Sequence, residues 1–253
     1  MASATPQIDD ANLPELLALI DGSDSVELKL TVPESDQRSA ARALGMDPLD
    51  AQVRLVYFFD TPELALFERG VVVRARRSQN SDDDTVVKLR PVEPAQLPRT
   101  LRSSRAFNVE VDAMPGAYVC SASLRGRPKA GAVARVAAGE KPVHTLLSKE
   151  QRAFYEAHAP EDVALDDLSL LGPVLVLKLK YTPVAFERRL VAELWLFPDG
   201  TRVLELSTKC APSDAFRAAA ESRAFLGRSG IDLTGEQATK TRRALEVFAR
   251  AAR

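Results

Sequence analysis

Pairs of like charges, two residues apart and separated by an apolar residue, recur along this sequence. Arg74 with Arg76 and Lys88 with Arg90 are basic pairs of this kind. Residues at i and i+2 on a β-strand point to the same face, so each pair predicts a strand with one charged and one apolar face. Other segments with charged residues at this spacing are Glu27–Lys29, Glu110–Asp112, Lys178–Lys180, Glu187–Arg189 and Glu205–Ser207–Lys209.

These charge pairs indicate a site for an anionic ligand. Like charges placed side by side repel each other, and such clusters are typical of a surface that faces a ligand of opposite charge. Arg and Lys bind phosphoryl oxygens, and carboxylates bind Mg²⁺ or Mn²⁺, which also bridges phosphate oxygens. The pattern therefore favours a phosphate chain with its divalent cation. For any single strand, a one-sided antiparallel sheet with a solvated charged face is the alternative.

Composition and motifs exclude several other kinds of site. No Walker-type loop and no GxGxxG motif occurs, so phosphate binding has to come from side chains on strands. Two histidines and two cysteines, Cys120 and Cys210, are too few for a His-rich zinc site or a disulfide framework. The net charge of −1 gives no general basic excess of the kind that nucleic-acid-binding proteins show.

Alternating polar and apolar residues predict the strands that position these charges. The clearest strand is 25–32, in which Val26, Leu28 and Leu30 share one face. Further strands are predicted at 53–59, 70–77, 85–90, 107–113, 174–180, 185–197 and 201–208, and helices at 13–20, 35–44, 146–158, 213–226 and 235–252. Segment 114–140, rich in Gly, Ala, Arg and Pro, is predicted to be a loop with an irregular helix.

The sequence also bears on the compartment and on the partners. Residues 1–12 are polar and lack the basic and apolar regions of a signal peptide. No apolar run approaches the ~18 residues of a membrane span, and the widely spaced cysteines fit a reducing compartment. We therefore expect a cytoplasmic protein with no membrane or nucleic-acid partner, and with a homodimer as an open alternative to a monomer.

The charged strands resemble those of the CYTH superfamily, also called triphosphate tunnel metalloenzymes. The resemblance covers roughly residues 25–245, and the order of the motifs is more specific than any one of them. The matching segments are SVELK at 25–29, YFFDTP at 57–62, GVVVRAR at 70–76, VVKLR at 86–90, EVD at 110–112, LELSTK at 204–209 and TK at 239–240.

This resemblance implies an α+β fold, an eight-stranded antiparallel β-tunnel that forms a closed barrel flanked by helices. It implies one domain over 1–253, with a core of about 24–245 and a helical insertion of about 114–170. The implied activity is hydrolysis of a triphosphate, inorganic or organic, with Mg²⁺ or Mn²⁺. Non-catalytic polyphosphate or nucleotide binding, an adenylate cyclase of class IV type and a plain interaction domain are the alternatives.

The resemblance also implies roles for individual residues. The metal ligands would be Glu27, Glu110, Asp112, Glu193 and Glu205. The phosphate contacts would be Arg54, Arg74, Arg76, Lys88, Arg90, Lys178, Arg188 and Lys209. The residues closest to the reaction would be Lys29, Glu27 and Glu205.

Two positions depart from the family pattern. Ser25 stands where the opening motif has its first glutamate, and Ser207 where the late motif has its second. Serine coordinates a divalent ion far more weakly than a carboxylate does, so the negative charge available to hold the cation is lower. These departures bear on catalysis more than on phosphate binding.

Overall fold

The computed structural model describes residues 12–235, residue 237 and residues 240–251. Within these ranges, nine β-strands form a closed barrel and eight α-helices flank it. The strands are β1 (Ser25–Val32), β2 (Gln52–Asp60), β3 (Val71–Ser78), β4 (Asp84–Leu89), β5 (Phe107–Met114), β6 (Ala117–Gly126), β7 (Ser169–Tyr181), β8 (Leu190–Leu196) and β9 (Arg202–Cys210). The helices are α1 (Leu13–Asp21), α2 (Gln37–Ala43), α3 (Ala65–Glu68), α4 (Arg99–Arg102), α5 (Ala132–Ala137), α6 (Lys149–Glu156), α7 (Ala215–Arg228) and α8 (Lys240–Ala251).

The barrel closes in the order β1-β5-β6-β4-β3-β2-β7-β8-β9, with β9 paired back to β1. Eight of the nine strand pairs are antiparallel, and the pair of β1 with β5 is parallel. The expected α+β closed barrel with flanking helices is confirmed. The expected count of eight strands is wrong by one.

The additional strand is β6, in the segment that was predicted to be a loop with an irregular helix. That prediction is wrong over residues 117–126. Ala122 and Leu124 pack into the buried core outside the barrel, whereas Ser123 and Arg125 line its interior. The period of two is present, but small and polar residues conceal it because Ala and Ser give little hydrophobic contrast.

The strands bury their apolar faces outward, against the helices. Val26 packs in one cluster with Leu16 and Ile20 of α1. On another side, Leu30 lies in a cluster with Phe225 of α7. The charged faces of the same strands therefore point into the barrel, where they line its interior.

Helix α8 fills part of the barrel interior. Its Ala244 and Leu245 pack in a buried cluster with Phe58, Val176 and Trp195. These three residues lie two or four positions from the inward-facing Arg54, Lys178 and Glu193, on the same strand faces. The interior therefore changes from charged to apolar along these strands. Within the described ranges, no helix has both the length and the apolar character needed to cross a bilayer.

Candidate functional site

The barrel encloses a cavity of about 1330 Å³. Fourteen of its lining residues are Lys or Arg and eight are Asp or Glu, an excess of six positive charges. The whole chain has a net charge of −1, so the fold concentrates positive charge at this one place. A concave site with charge of one sign focuses the field and attracts ligands of the opposite sign.

The cavity brings together thirteen of the fourteen side chains that the sequence assigned to a site. These are Glu27, Lys29, Arg54, Arg74, Arg76, Lys88, Arg90, Glu110, Asp112, Lys178, Glu193, Glu205 and Lys209.

Arg188 is the exception. Its guanidinium pairs with Asp214 at 2.5 Å and with Glu221 at 2.6 Å, and the side chain is not among those that line the cavity. Arg189 lines the cavity in its place, because it has the same strand parity as the inward-facing Glu193. The sequence signal for Arg189 was its i, i+2 spacing from Glu187, which the family resemblance did not use.

Three carboxylates form a compact cluster on two adjacent strands. One oxygen from each of Glu27, Glu110 and Asp112 lies within 4.8 Å of the others. The parallel register of β1 and β5 pairs Glu27 with Asp112 and Ser25 with Glu110, so the two inward-facing rows lie side by side. Because β1 and β5 are far apart in sequence, these groups come together only when the two strands pair.

Asp112 is the most enclosed member of the cluster, with no exposed surface. Its carboxylate is 2.8 Å from Lys29, 3.4 Å from Lys88 and 3.5 Å from Arg90. Burial alone raises the pKa of Asp112, but these three cations outweigh it and hold the pKa below the usual range. Asp112 is therefore ionised at neutral pH.

Glu27 and Lys29 also stabilise each other in their charged forms. Their charged atoms are 3.2 Å apart. Burial opposes ionisation of Glu27, but the Lys29 ammonium lowers the pKa of this carboxyl to about 2. Burial likewise lowers the pKa of Lys29, and Asp112 and Glu27 together raise it well above its usual value.

Two serine hydroxyls contact the cluster. Ser25 donates a hydrogen bond of 3.1 Å to Glu110, and Ser207 donates one of 3.0 Å to Glu27. These serines occupy the positions at which the sequence departs from the family pattern. Each one contacts a carboxylate of the cluster through a neutral donor.

Glu193 and Glu205, which the sequence assigned to the metal, are not part of this cluster. They face each other across β8 and β9 and are both buried. Lys240 contacts Glu193 and lies 2.7 Å from Glu205, while Lys178 lies 2.5 Å from Glu193. The pair is thus neutralised by two ammonium groups.

Lys240 had no predicted role in the site. It is the first residue of α8, and its ammonium lies 5.3 Å from the ring centroid of Trp195. Burial lowers its pKa, but Glu193 and Glu205 together raise it above the usual value. The motif TK at 239–240 was the only sequence signal for this residue, and Thr239 lies outside the described residues.

The basic wall opposite the acidic cluster is built by β2 and β3. Arg76 donates to Asp84 with bonds of 2.8 to 3.0 Å, and Arg54 donates to Gln52 at 2.7 Å. Arg74 lies on β3 and lines the cavity, and burial, together with the nearby charge of Arg76, lowers its pKa to about 9. The lining residues Arg125 and Lys180 extend the basic surface beyond the predicted set.

The acidic cluster fits a divalent cation, as the sequence resemblance implied. Its donors are carboxylate oxygens, the ligands that Mg²⁺ and Mn²⁺ prefer. Asp112 Oδ1 is buried and has an ion pair with Lys29, but it accepts no hydrogen bond of normal geometry. This oxygen therefore has lone pairs available for a ligand.

Comparisons with known proteins support the fold and not a specific activity. No family model and no curated protein matches the chain. Among solved structures, HpAC1 from Hippeastrum, described as a candidate adenylyl cyclase with a dominant triphosphatase activity, matches with a TM-score of 0.62 and 19% identity over 90% of this chain and 95% of its own. A candidate adenylate cyclase from Bacillus halodurans matches with a TM-score of 0.57 and 13% identity over 87% and 97%.

The chain has the same closed-barrel fold as these two structures. Identities this low establish a shared architecture alone, and the closed barrel with its charged interior agrees with the architecture that the sequence resemblance implied. The nine-stranded count includes β6, whose residues 117–126 contribute Ser123 and Arg125 to the tunnel wall.

Proposed function

We propose that this protein is a metal-dependent triphosphatase that hydrolyses inorganic tripolyphosphate or a small organic triphosphate inside the tunnel. The observation that carries the proposal is the cluster of Glu27, Glu110 and Asp112 set in a cavity with an excess of basic side chains. A triphosphate bound with one divalent cation remains an anion, so a cavity of net positive charge attracts it. The triphosphatase activity described for HpAC1 supports the same class of reaction.

In this proposal the basic residues bind and align the phosphate chain. Lys88 on β4 and Arg90, which follows β4, both lie beside Asp112. Arg74 and Arg76 extend from the neighbouring strand β3. Two rows of cations on adjacent strands provide donors for successive phosphoryl groups. Fixing the chain in one orientation lowers the entropic cost of reaching an in-line geometry.

The acidic cluster would hold Mg²⁺ or Mn²⁺, which supplies charge neutralisation at the phosphate oxygens when bound. The hydrolytic step adds water to a terminal phosphorus and breaks its bond to the bridging oxygen. The products are orthophosphate and the shortened phosphate chain, and one proton is released to the solvent at neutral pH. Lys29, placed between Glu27 and Asp112, keeps both groups ionised throughout.

The proposal is tested by measuring phosphate release from tripolyphosphate, ATP and thiamine triphosphate with Mg²⁺ and with Mn²⁺. We expect release above background with at least one substrate, and a loss of tenfold or more in Lys88→Ala and Glu27→Gln. Arg217→Ala is the matched control, because this exposed arginine pairs with Asp214 outside the cavity. Activity that survives in both tunnel variants would contradict the proposal.

The same assay distinguishes the alternatives. Tight binding of tripolyphosphate without phosphate release would identify a binding protein. Formation of cyclic AMP and diphosphate from ATP would identify a cyclase, the activity named for both structural neighbours.

A further inference from the structure

Two hydroxyl groups reach the acidic cluster across the strand pairs on either side of β1. Ser25 Oγ, on β1, donates to Glu110 Oε2 of β5 at 3.1 Å. Ser207 Oγ, on β9, donates to Glu27 Oε1 of β1 at 3.0 Å. The two serines thus contact two different glutamates, while ion pairs with lysine and arginine hold Asp112.

We propose that Ser25 and Ser207 are positioning residues, which orient Glu110 and Glu27 for one divalent cation. The inference rests on the proposed metal-dependent function. A glutamate side chain has several rotamers, so a carboxylate without a fixed partner spends part of its time turned away from its neighbours. A hydroxyl that donates to one carboxylate oxygen fixes the orientation and leaves acceptor capacity on the group for a cation.

The remaining contacts of the two glutamates agree with this role. Glu27 uses its other oxygen, Oε2, to pair with Lys29 at 3.2 Å. Glu110 receives both Ser25 and Lys209 on Oε2, so its fixed contacts lie on one side of the carboxylate.

A neutral donor also has an electrostatic consequence. Ser25 is the register partner of Glu110, so a carboxylate at position 25 would lie beside an existing negative charge. Serine orients the glutamate without adding charge, which preserves the positive excess that attracts a polyanion. The tunnel thereby keeps three clustered carboxylates instead of four or five.

The test is the affinity for Mn²⁺ alone, with no phosphate present, measured by isothermal titration calorimetry and by electron paramagnetic resonance of free Mn²⁺. We expect Ser25→Ala and Ser207→Ala each to weaken Mn²⁺ binding about tenfold, the usual effect of losing a group that orients a metal ligand. Ser25→Thr keeps the hydroxyl, and position 25 is partly exposed. Its Mn²⁺ affinity should therefore lie within about twofold of that of the wild type, a smaller change than the roughly tenfold loss expected when an orienting group is removed.

Ser123→Ala is the matched control. Ser123 also lines the tunnel, but its hydroxyl donates to the backbone oxygen of Asn108 and not to a carboxylate. Circular dichroism spectra and melting temperatures show whether each variant remains folded.

Unchanged Mn²⁺ affinity in both folded alanine variants would overturn the inference, as would a wild-type protein that binds no Mn²⁺ in either measurement. Failure of the proposed function gives a different result. In that case the wild type binds Mn²⁺ and the serine variants bind it less well, but no triphosphate is hydrolysed.

Discussion

Lys240 Nζ lies 2.7 Å from Glu205 Oε1, so the first residue of the last helix is bound to the inner wall of the barrel. The same ammonium contacts Glu193 on the neighbouring strand. A buried pair of carboxylates needs a cation, because two uncompensated negative charges in a region of low dielectric constant repel strongly. Helix α8 supplies that cation at its first residue and closes part of the barrel with Ala244 and Leu245.

Replacing this cation should destabilise the fold. We expect Lys240→Met to lower the free energy of unfolding by about 3 kcal/mol, the cost of breaking a buried charge pair. Adding Glu193→Gln to Lys240→Met should recover part of the loss, because it removes one of the unpaired charges. Denaturant unfolding measures both effects. Arg243, also on α8, forms a half-exposed ion pair with Asp199 in the turn between β8 and β9. Arg243→Ala should therefore cost about 1 kcal/mol or less.

Adjacent arginines before β8 should behave differently. Arg189→Gln is expected to weaken tripolyphosphate binding several-fold, because it removes a cation from the cavity wall. Arg188→Gln is expected to leave binding unchanged and to lower the melting temperature, because it breaks the contacts with Asp214 and Glu221. Calorimetric titration and thermal unfolding separate the two outcomes. Reversed results would support the phosphate contact that the family resemblance implied for Arg188.

Strand β6 provides a test of the nine-stranded barrel. Leu124 has 1% of its surface exposed in the core outside the barrel, so Leu124→Ala should cost about 2–5 kcal/mol of stability. Arg125, the next residue, lines the cavity, so Arg125→Ala should have little effect on stability and should weaken tripolyphosphate binding. Equal stability losses in the two variants would argue against a strand with one buried and one interior face.

The ion pair of Glu27 and Lys29 predicts how stability depends on pH. Glu27 has a pKa of about 2 in the folded protein, below the 4.5 of a free glutamate. Its contribution to stability is therefore fully present above pH 4.5 and is lost as the pH falls towards 2. Melting temperatures measured from pH 6 to pH 3 should fall less steeply in Glu27→Gln than in the wild type.

The control for that series is Glu161→Gln, at an exposed position outside the tunnel lining. The melting temperature of this variant should fall with pH as steeply as that of the wild type. If the melting temperature of Glu27→Gln fell with pH as steeply as that of the wild type, the lowered pKa of Glu27 would be contradicted.

The sequence predicted the tunnel well because its charged faces have a strict period of two. Thirteen of the predicted side chains line the cavity, because all inward-facing residues of a closed barrel point into the same interior. The register between strands could not be predicted in the same way, because it depends on which strands become neighbours. The division of the carboxylates into a Glu27 cluster and a Glu193–Glu205 pair could not be read from spacing.

The errors have specific physical causes. Strand β6 was missed because Ala122 and Ser123 give little hydrophobic contrast between its two faces. Lys240 was not assigned because its helix enters the barrel from the end, a placement that depends on packing around Trp195. Arg188 was favoured over Arg189 because its role was taken from the family resemblance, although the i, i+2 spacing already placed Arg189 on the same face as Glu187 and Glu193.

The long-range pairing of β1 with β5 and with β9 has a consequence for biosynthesis. Glu27 lies 85 positions before Asp112, and its hydroxyl partner Ser207 lies 180 positions further along the chain. A ribosome must therefore complete β9 before Glu27 can acquire this partner. In the proposed function, activity that depends on the oriented Glu27 would therefore be absent from a nascent chain that has not yet formed β9.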